Sequence, residues 1–389
     1  MGTGSSIPSV PKDVKYESYK SARNVLEEIG LEIYNKEIKK TIPHKGQLRG
    51  YLSRAQFLDG LYRETGGKVR TGPGDSCSLD HKFHTNINNG TNHGRNPCDL
   101  RNQNRFGENA EAYCNSDKIR DNGERSAGGA CVPFRRQNLC DKNLEYLINE
   151  NTNTTHDLLG NVLVTAKYEG ESIVKNHPHK GTSDVCTALA RSFADIGDIV
   201  RGKDMFKRNN HDNVENGLKA VFKKIYEGYL DKGAREHYKE VKNGNYVKLR
   251  EDWWTANRDQ VWRAITCYIP YYVNYFKKKS DDTIVFTNDG KCGHYEGAPP
   301  TNLDYVPQFL RWFDEWAEEF CRKKKDKLNK VKEACRDEEK KKYCSLNGYD
   351  CTQTIWKKGV LHWSNKCTDC SVKCNLYEIW LGNQREAFR

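Results

Sequence analysis

The sequence contains no apolar run approaching the ~18–20 residues of a membrane-crossing helix. Its N-terminus, MGTGSSIPSVPKDVKYESYK, has no hydrophobic signal core. No GxSxG, HExxH, GxGxxG or phosphate-loop pattern occurs, and the 11 histidines show no metal-ligand spacing. Nothing therefore marks an enzyme, and neither a cofactor nor a metal is expected. Asp195 and Asp198, in ADIGD, read as a helix surface rather than as an acid–base pair. Cysteine is absent before Cys77, so the first part of the chain must be held by packing alone.

Beyond that point cysteine is abundant, with 15 in the chain. So many in one chain point to disulfides and an oxidising compartment. The odd count leaves one thiol unpaired, or paired outside the chain. Cys367, Cys370 and Cys374, with Cys344 and Cys351 nearby, could also be read as zinc ligands, but zinc motifs show spaced pairs or histidine, and disulfides are favoured. Export without a signal core implies an unusual route or a leader removed beforehand. Met1-Gly2 with Ser6 fits the short myristoylation pattern, against which the cysteines argue.

Apolar residues make up 36% and charged residues 30%, but 8 Trp, 21 Tyr and 13 Phe can anchor several modest cores. A chain of 389 residues suggests two or three packing units. The net charge of +11 favours polyanionic partners: nucleic acid, anionic membrane, or sulfated and sialylated glycans.

The pattern divides the chain into four stretches. Residues 1–70 form a polar N-terminal segment with a helix on Ala22, Val25, Leu26, Ile29 and Ile33, capped by Ser21 and broken by Pro43. A second short helix is expected through Leu52, Ala55, Phe57, Leu58 and Leu61. Residues 71–150 are loop-rich and depend on cross-links. Asn89-Gly90-Thr91 and Asn153-Thr154-Thr155 there and just beyond are glycosylation sequons, a weak signal.

Residues 151–290 read as a helical bundle. One stripe is Cys186, Leu189, Phe193, Ile196 and Val200, with Ser183 or Asp184 as cap and Gly202 as stop. Two more run through Val214, Leu218, Val221, Phe222, Ile225 and Tyr229, and through Trp254, Val261, Trp262, Ile265 and Tyr268 up to Pro270. Residues 291–389 contain a long helix from about Val306 to Lys342, with Phe309, Trp312, Phe313, Trp316 and Phe320 as its apolar face. Cys321 and Cys335 lie about 21 Å apart along that helix and cannot bond each other. Cys367, Cys370 and Cys374 share one face of a closing helix, and an antiparallel hairpin would set them against cysteines of the long one.

PCDLRNQNRFGENAEAYC, ACVPFRRQNLC, CTALARSFADIGDIVRGKDMF, DYVPQFLRWFDEWAEEFC and CNLYEIWLGNQREAF resemble the homology blocks of the Duffy-binding-like fold. ARSFADIGDIVRG and PQFLRWFDEWAEEFC are similar to its alpha class, which opens the variant erythrocyte membrane proteins of Plasmodium falciparum. The cysteine-free lead resembles that family's N-terminal segment. The resemblance implies an all-α, disulfide-rich fold in three subdomains, displayed outside the infected erythrocyte and anchored by parts of the full-length protein beyond this chain. It implies a monomer that adheres to a host-cell receptor: heparin or heparan-sulfate-like glycans, blood-group sugars or a complement receptor, in rosetting and cytoadherence.

Candidate polyanion contacts are the clustered cations. Arg322, Lys323, Lys324, Lys325 and Lys327 follow the aromatic half of the long helix, where a solvated face is the plainer alternative. Lys219, Lys223 and Lys224 flank another apolar stripe. Arg135 and Arg136 sit between Cys131 and Cys140, in a loop suited either to recognition or to packing on acidic neighbours. Lys39 and Lys40 join them if the N-terminal segment folds back. Trp253-Trp254 and Tyr271-Tyr272 either stack on sugar rings or fill the core. The alternatives to an adhesin are a basic nucleic-acid-binding protein and a secreted enzyme of unknown class. A reducing agent separates the first, since it should unfold a disulfide-held adhesin and spare an intracellular binder.

Overall fold

The computed structural model describes residues 21–38, 42–58, 69–87, 92–120, 129–147, 152–208, 211–239, 244–278, 283–339, 342–344, 355–357, 360–362 and 367–388. Three of its longer helices begin on capping side chains. Helix α1 (Ala22–Ile33) starts on Ser21, whose hydroxyl accepts from the Asn24 amide. Helix α2 (Thr155–Asn176) starts with a capping box between Thr154 and Asp157, so the second sequon is spent on a helix terminus. Helix α3 (Ser183–Arg201) is capped by Thr182, not by Ser183 or Asp184, and ends at Gly202, whose φ of 74° suits glycine. Then come α4 (Asn213–Lys224), which runs into a wider turn over Ile225–Tyr229, and α5 (Val247–Ile265). The chain closes with α6 (Gln308–Cys335) and α7 (Thr368–Phe388).

Two expectations fail locally. The helix placed over Leu52–Leu61 is a single turn, Leu52–Arg54, followed by strand β1 (Gln56–Leu58) paired antiparallel with β2 (Val69–Thr71). Side chains from afar claim its backbone: the Gln56 amide donates to Asp157 at 2.9 Å and the Leu58 amide to Asn86 at 3.1 Å. Leu61 lies outside the described residues. The long helix stops at Cys335 instead of Lys342, because Arg336–Asp337 turns back in a hairpin with Lys342–Tyr343. That reversal brings Cys344 beside Cys335, with the Cys344 amide donating to the Cys335 carbonyl at 3.0 Å.

The main core lies where α2, α3 and α5 meet. Trp253, Trp254, Trp262, Phe193 and Phe222 are fully buried there, so the paired tryptophans are packing residues. Phe193 meets Trp262 edge-on at 5.3 Å. Gly170 permits the close crossing of α2 and α5, since a Cβ there would lie 1.9 Å from the Ile265 carbonyl. Helix α1 docks without cysteine, through Leu26 and Ile29 and through buried Glu27, which accepts from Tyr275 and Thr301.

Six disulfides join described residues: Cys77–Cys267, Cys98–Cys140, Cys114–Cys131, Cys186–Cys292, Cys335–Cys370 and Cys344–Cys367. Cys335–Cys370 joins the end of α6 to α7, as an antiparallel hairpin allows, and Cys344–Cys367 ties the residue after the short hairpin strand to the residue before α7. Cys321 and Cys374 are unbonded, and Cys351 lies outside the described residues. Cys335, Cys370 and Cys374 gather three sulfurs within 4.8 Å, but two of them are bonded to each other and supply no thiolate for a metal.

Asp195 and Asp198 are not on a helix surface. Both are buried in a lattice of arginines that joins the loop after Cys131, α3 and α6. Arg135 donates to Asp195 at 2.7 Å and to Glu315 at 2.8 Å, and Arg311 donates to Asp195 at 2.9 Å and to Asp198. Arg201 closes the group on Asp198 at 2.9 Å. Burial alone would raise the Asp195 carboxyl, but Arg135 and Arg311 hold it down to about 2. Its contribution is therefore complete above the ~4 of an unfolded aspartate and is lost as pH falls through about 2. Burial pushes Asp198 up, so its own pH dependence has the opposite sign and lies above the ~4 of an unfolded aspartate, outside the window of Asp195.

The thermal midpoint should accordingly drop between about pH 4 and about pH 2. Asp195→Asn should lower stability by about 3–5 kcal/mol at neutral pH, because Arg135 and Arg311 each lose one of the two buried carboxylates that neutralise them, and should flatten the acid slope. Melting curves followed by circular dichroism across that range check both.

Candidate functional site

Placing the candidate cations on the fold removes some of them from any surface. Arg135 and Arg136 are buried, so of the two readings of their loop the packing on acidic neighbours holds, and both are corrected as polyanion contacts. Arg135 belongs to the lattice above, and Arg136 donates to Asp204 at 2.6 Å beside Asp141. Burial would depress the Arg136 guanidinium, but Asp204 and Asp141 outweigh it and keep it charged. Lys323 is likewise buried, its ammonium donating to the Ala110 carbonyl and lying 3.1 Å from Glu111. This corrects its assignment as a glycan contact.

Several of the other candidates are partly neutralised. Arg322 pairs with Glu319 at 2.7 Å and Asp326 at 3.5 Å. Lys327 lies 3.9 Å from Glu108 and over the Trp380 ring. On α4, Lys219 lies 3.8 Å from Glu215 and Lys223 4.0 Å from Glu227, while Lys224 is half-buried. Lys324 is exposed against the Phe320 ring, and Lys325 is exposed. Neither is ion-paired with a carboxylate among the described residues. Lys39 and Lys40 lie outside the described residues.

The aromatic face of α6 also differs from its reading as a buried stripe. Trp312 is fully buried and donates to Asp195 at 3.2 Å, but Phe309 and Phe313 are exposed, Phe313 by 55%. Trp316 and Phe320 stack at 5.6 Å, and Phe320 continues onto Trp380 of α7 at 5.5 Å. Trp316 and Phe320 form one wall of a cleft of about 240 Å³. The opposite walls are the 105–112 loop, Pro133–Arg135 and the residues leading from His177 into α3. Sequence reasoning did not find this cleft, because its walls are far apart in the chain and its rings sit at core-like helical spacing. Elsewhere Tyr271 and Tyr272, an aromatic pair that the sequence singled out, are 70% and 71% exposed.

The comparisons with known proteins agree with this architecture. The Duffy binding domain model matches residues 129–311, the Duffy-binding-like C-terminal subdomain model 315–389, and the model for N-terminal segments of PfEMP1 21–56. The NTS-DBL1-alpha and CIDR-gamma double domain of a Plasmodium falciparum varO-strain PfEMP1 is 59% identical with a TM-score of 0.89. The match covers 95% of this chain and 53% of that one. The PfEMP1 IT4var13 DBLbeta domain, solved bound to ICAM-1, is 26% identical at TM-score 0.65, covering 97% of this chain and 80% of that one. The beta-form Duffy receptor of Plasmodium knowlesi is 23% identical over 66% of this chain, which spans only 18% of that receptor.

A disulfide-bonded helical fold with these blocks defines a Duffy-binding-like domain. The chain belongs to that family, as an alpha-class domain with its N-terminal segment, of the Plasmodium falciparum erythrocyte membrane protein 1 type.

Burial separates structural from available cations in a way stability can read. Arg136→Ala should cost about 3–5 kcal/mol, because Asp204 and Asp141 lose a buried partner. Lys324→Ser with Lys325→Ser should stay within about 0.5 kcal/mol of the parent. Urea unfolding of the three proteins checks the contrast.

Proposed function

We propose that this chain is a host-receptor adhesion domain which captures a sulfated, heparan-sulfate-like glycan and acts by binding, not catalysis. The supporting observation is the pair Lys324 and Lys325, exposed on the outer face of α6 in a chain of net charge +11. Lys223 and Lys224 on α4 are further cations in this reading, Lys223 exposed at 4.0 Å from Glu227 and Lys224 half-buried, while Arg135, Arg136 and Lys323 are withdrawn from it. The solved DBLbeta relative bound to ICAM-1 supports receptor binding as the role of the fold. Display on the infected erythrocyte, rosetting, and contact with blood-group sugars or a complement receptor follow as parts of the same proposal.

Polyanion capture releases counterions, so binding falls steeply with salt. On immobilised heparin, retention should collapse between about 0.1 and about 0.5 M salt. Lys223→Ser, Lys324→Ser and Lys325→Ser together should weaken binding about tenfold and reduce the salt slope. Salt-independent retention, or a triple variant that binds like the parent, would refute the electrostatic reading.

A further inference from the structure

We propose that residues 43–54 form a pH-gated clasp on the helical bundle, closed while His156 and His237 are uncharged and opened by their protonation in mild acid. The first contact is His156, buried in the opening turn of α2, whose Nδ1 accepts from the Tyr51 amide at 3.1 Å. A ring nitrogen that accepts an amide carries no proton. The single proton of the neutral ring therefore sits on Nε2, 3.3 Å from the Tyr229 hydroxyl. The imidazole thus bridges the clasp to the turn over Ile225–Tyr229, and the Tyr51 and Tyr229 rings each lie 5.7 Å from it.

A second proton, on Nδ1, would aim one donor at another and leave the Tyr51 amide without its acceptor. The surroundings oppose that charge. His156 lies at the positive, N-terminal end of α2. Asp157 is the carboxylate beside it, but it already accepts from the Gln56, Asn153 and Thr154 amides. Burial, and after it the Arg54 cation, hold the imidazole below its ordinary value against the pull of Asp157. At the second contact the His44 ring lies 5.7 Å from His237 and 6.5 Å from Tyr238, whose hydroxyl donates to the Pro43 carbonyl. His237 Nε2 is enclosed without a hydrogen-bond partner among the described residues. Burial, Lys248 and His44 push His237 down, and Asp252, which accepts from Tyr238 at 2.9 Å, opposes them. Asp231 is the carboxylate that His44 influences from the same side.

Between these contacts the clasp is pinned without histidine. Arg49 donates to Asp259 at 2.5 and 2.7 Å, and the Gly50 amide donates to Asn257 at 2.8 Å. The Leu48 carbonyl accepts from Thr155 at 2.7 Å and from Asn257 at 2.9 Å. Opening is therefore local, on either side of a fixed centre. A histidine held below the ~6.5 of a free imidazole takes its proton more readily when the contact is open. Closure is thus fully favoured above ~6.5 and weakens as pH falls below it. That window lies above the acid loss of Asp195, so the clasp opens while the buried lattice is intact. Release uncovers the start of α2 and the Ile225–Tyr229 turn with the bundle still folded. The clasp goes beyond the adhesion reading and does not depend on it.

Amide hydrogen exchange of the full chain at about pH 7.4 and about pH 5.5, corrected for the intrinsic effect of pH, tests the clasp. The Tyr51 amide reads His156, and the Gln47 amide, which donates to the His44 carbonyl at 2.9 Å, reads the His44–His237 contact. Protection of each should fall by up to about tenfold, the limit for one imidazole a pH unit below its free value. Protection of the Gly50 amide should change by less than about twofold. His156→Asn places a non-titrating oxygen where Nδ1 lies and should abolish the fall at Tyr51. His237→Phe keeps a ring without the enclosed nitrogen and should abolish the fall at Gln47. If either variant does not fold, ring titrations of His156 and His237 in the parent decide, and both midpoints should lie below the ~6.5 of a free imidazole. Equal protection at both pH values, an equal fall at Gly50, a fall that persists at its own contact in either variant, or a ring midpoint at or above ~6.5 would each overturn the clasp.

Discussion

Asp195, held between Arg135 and Arg311 with Glu315 closing the group, is the constraint on which the rest of the structure depends. It is one of the few points where the cross-linked loops, the central bundle and the long helix touch through buried charge. Desolvating so many ions is costly, and the group persists because each keeps a partner at hydrogen-bond distance. Removing one leaves the others stranded in low dielectric, so the three layers are committed to a single arrangement. Arg258 extends the same logic to the Asp304 carboxylate, which also accepts from Trp254 at 2.8 Å, while Arg201 donates to the Asp304 main-chain carbonyl.

This constraint shapes the surface as well. A formal charge of +11 suggests a cation-covered molecule, yet several arginines in the homology blocks face inward. What remains outward is sparser, and much of it is paired. A rigid scaffold fixed by internal ion pairs and disulfides can hold such a surface in place while the exposed side chains vary. That separation of framework from contact residues suits the adhesion role proposed above.

Much of the framework was legible in the sequence. The stripes of α3, α4 and α5 are periodic, and periodicity survives any tertiary context. Helix geometry barred Cys335 from bonding Cys321 on the same helix, but it did not choose Cys370 as the partner or leave Cys321 free. What was not legible depended on distant partners. Arg135 meets Asp195 across 60 residues and Glu315 across 180, so its loop looked available. Lys323 belonged to a conspicuous basic run, and its neutralising Glu111 sits in a loop with no periodicity to place it. The strand at Gln56–Leu58 was hidden for the same reason: Asp157 and Asn86 decide its backbone. Phe313 and Trp316 followed helical spacing, but a spacing rule does not reveal how wide the covering neighbour is.

Amide hydrogen exchange on Arg135→Ala, under conditions where the variant remains folded, tests the central role of the lattice most directly. The loop over residues 131–140, the second half of α3 and the first turns of α6 should all exchange faster together, by about 10²–10³-fold, as one unit released by one lost partner. Faster exchange confined to the turn that carries Arg135, with α3 and α6 protected as in the parent, would contradict it.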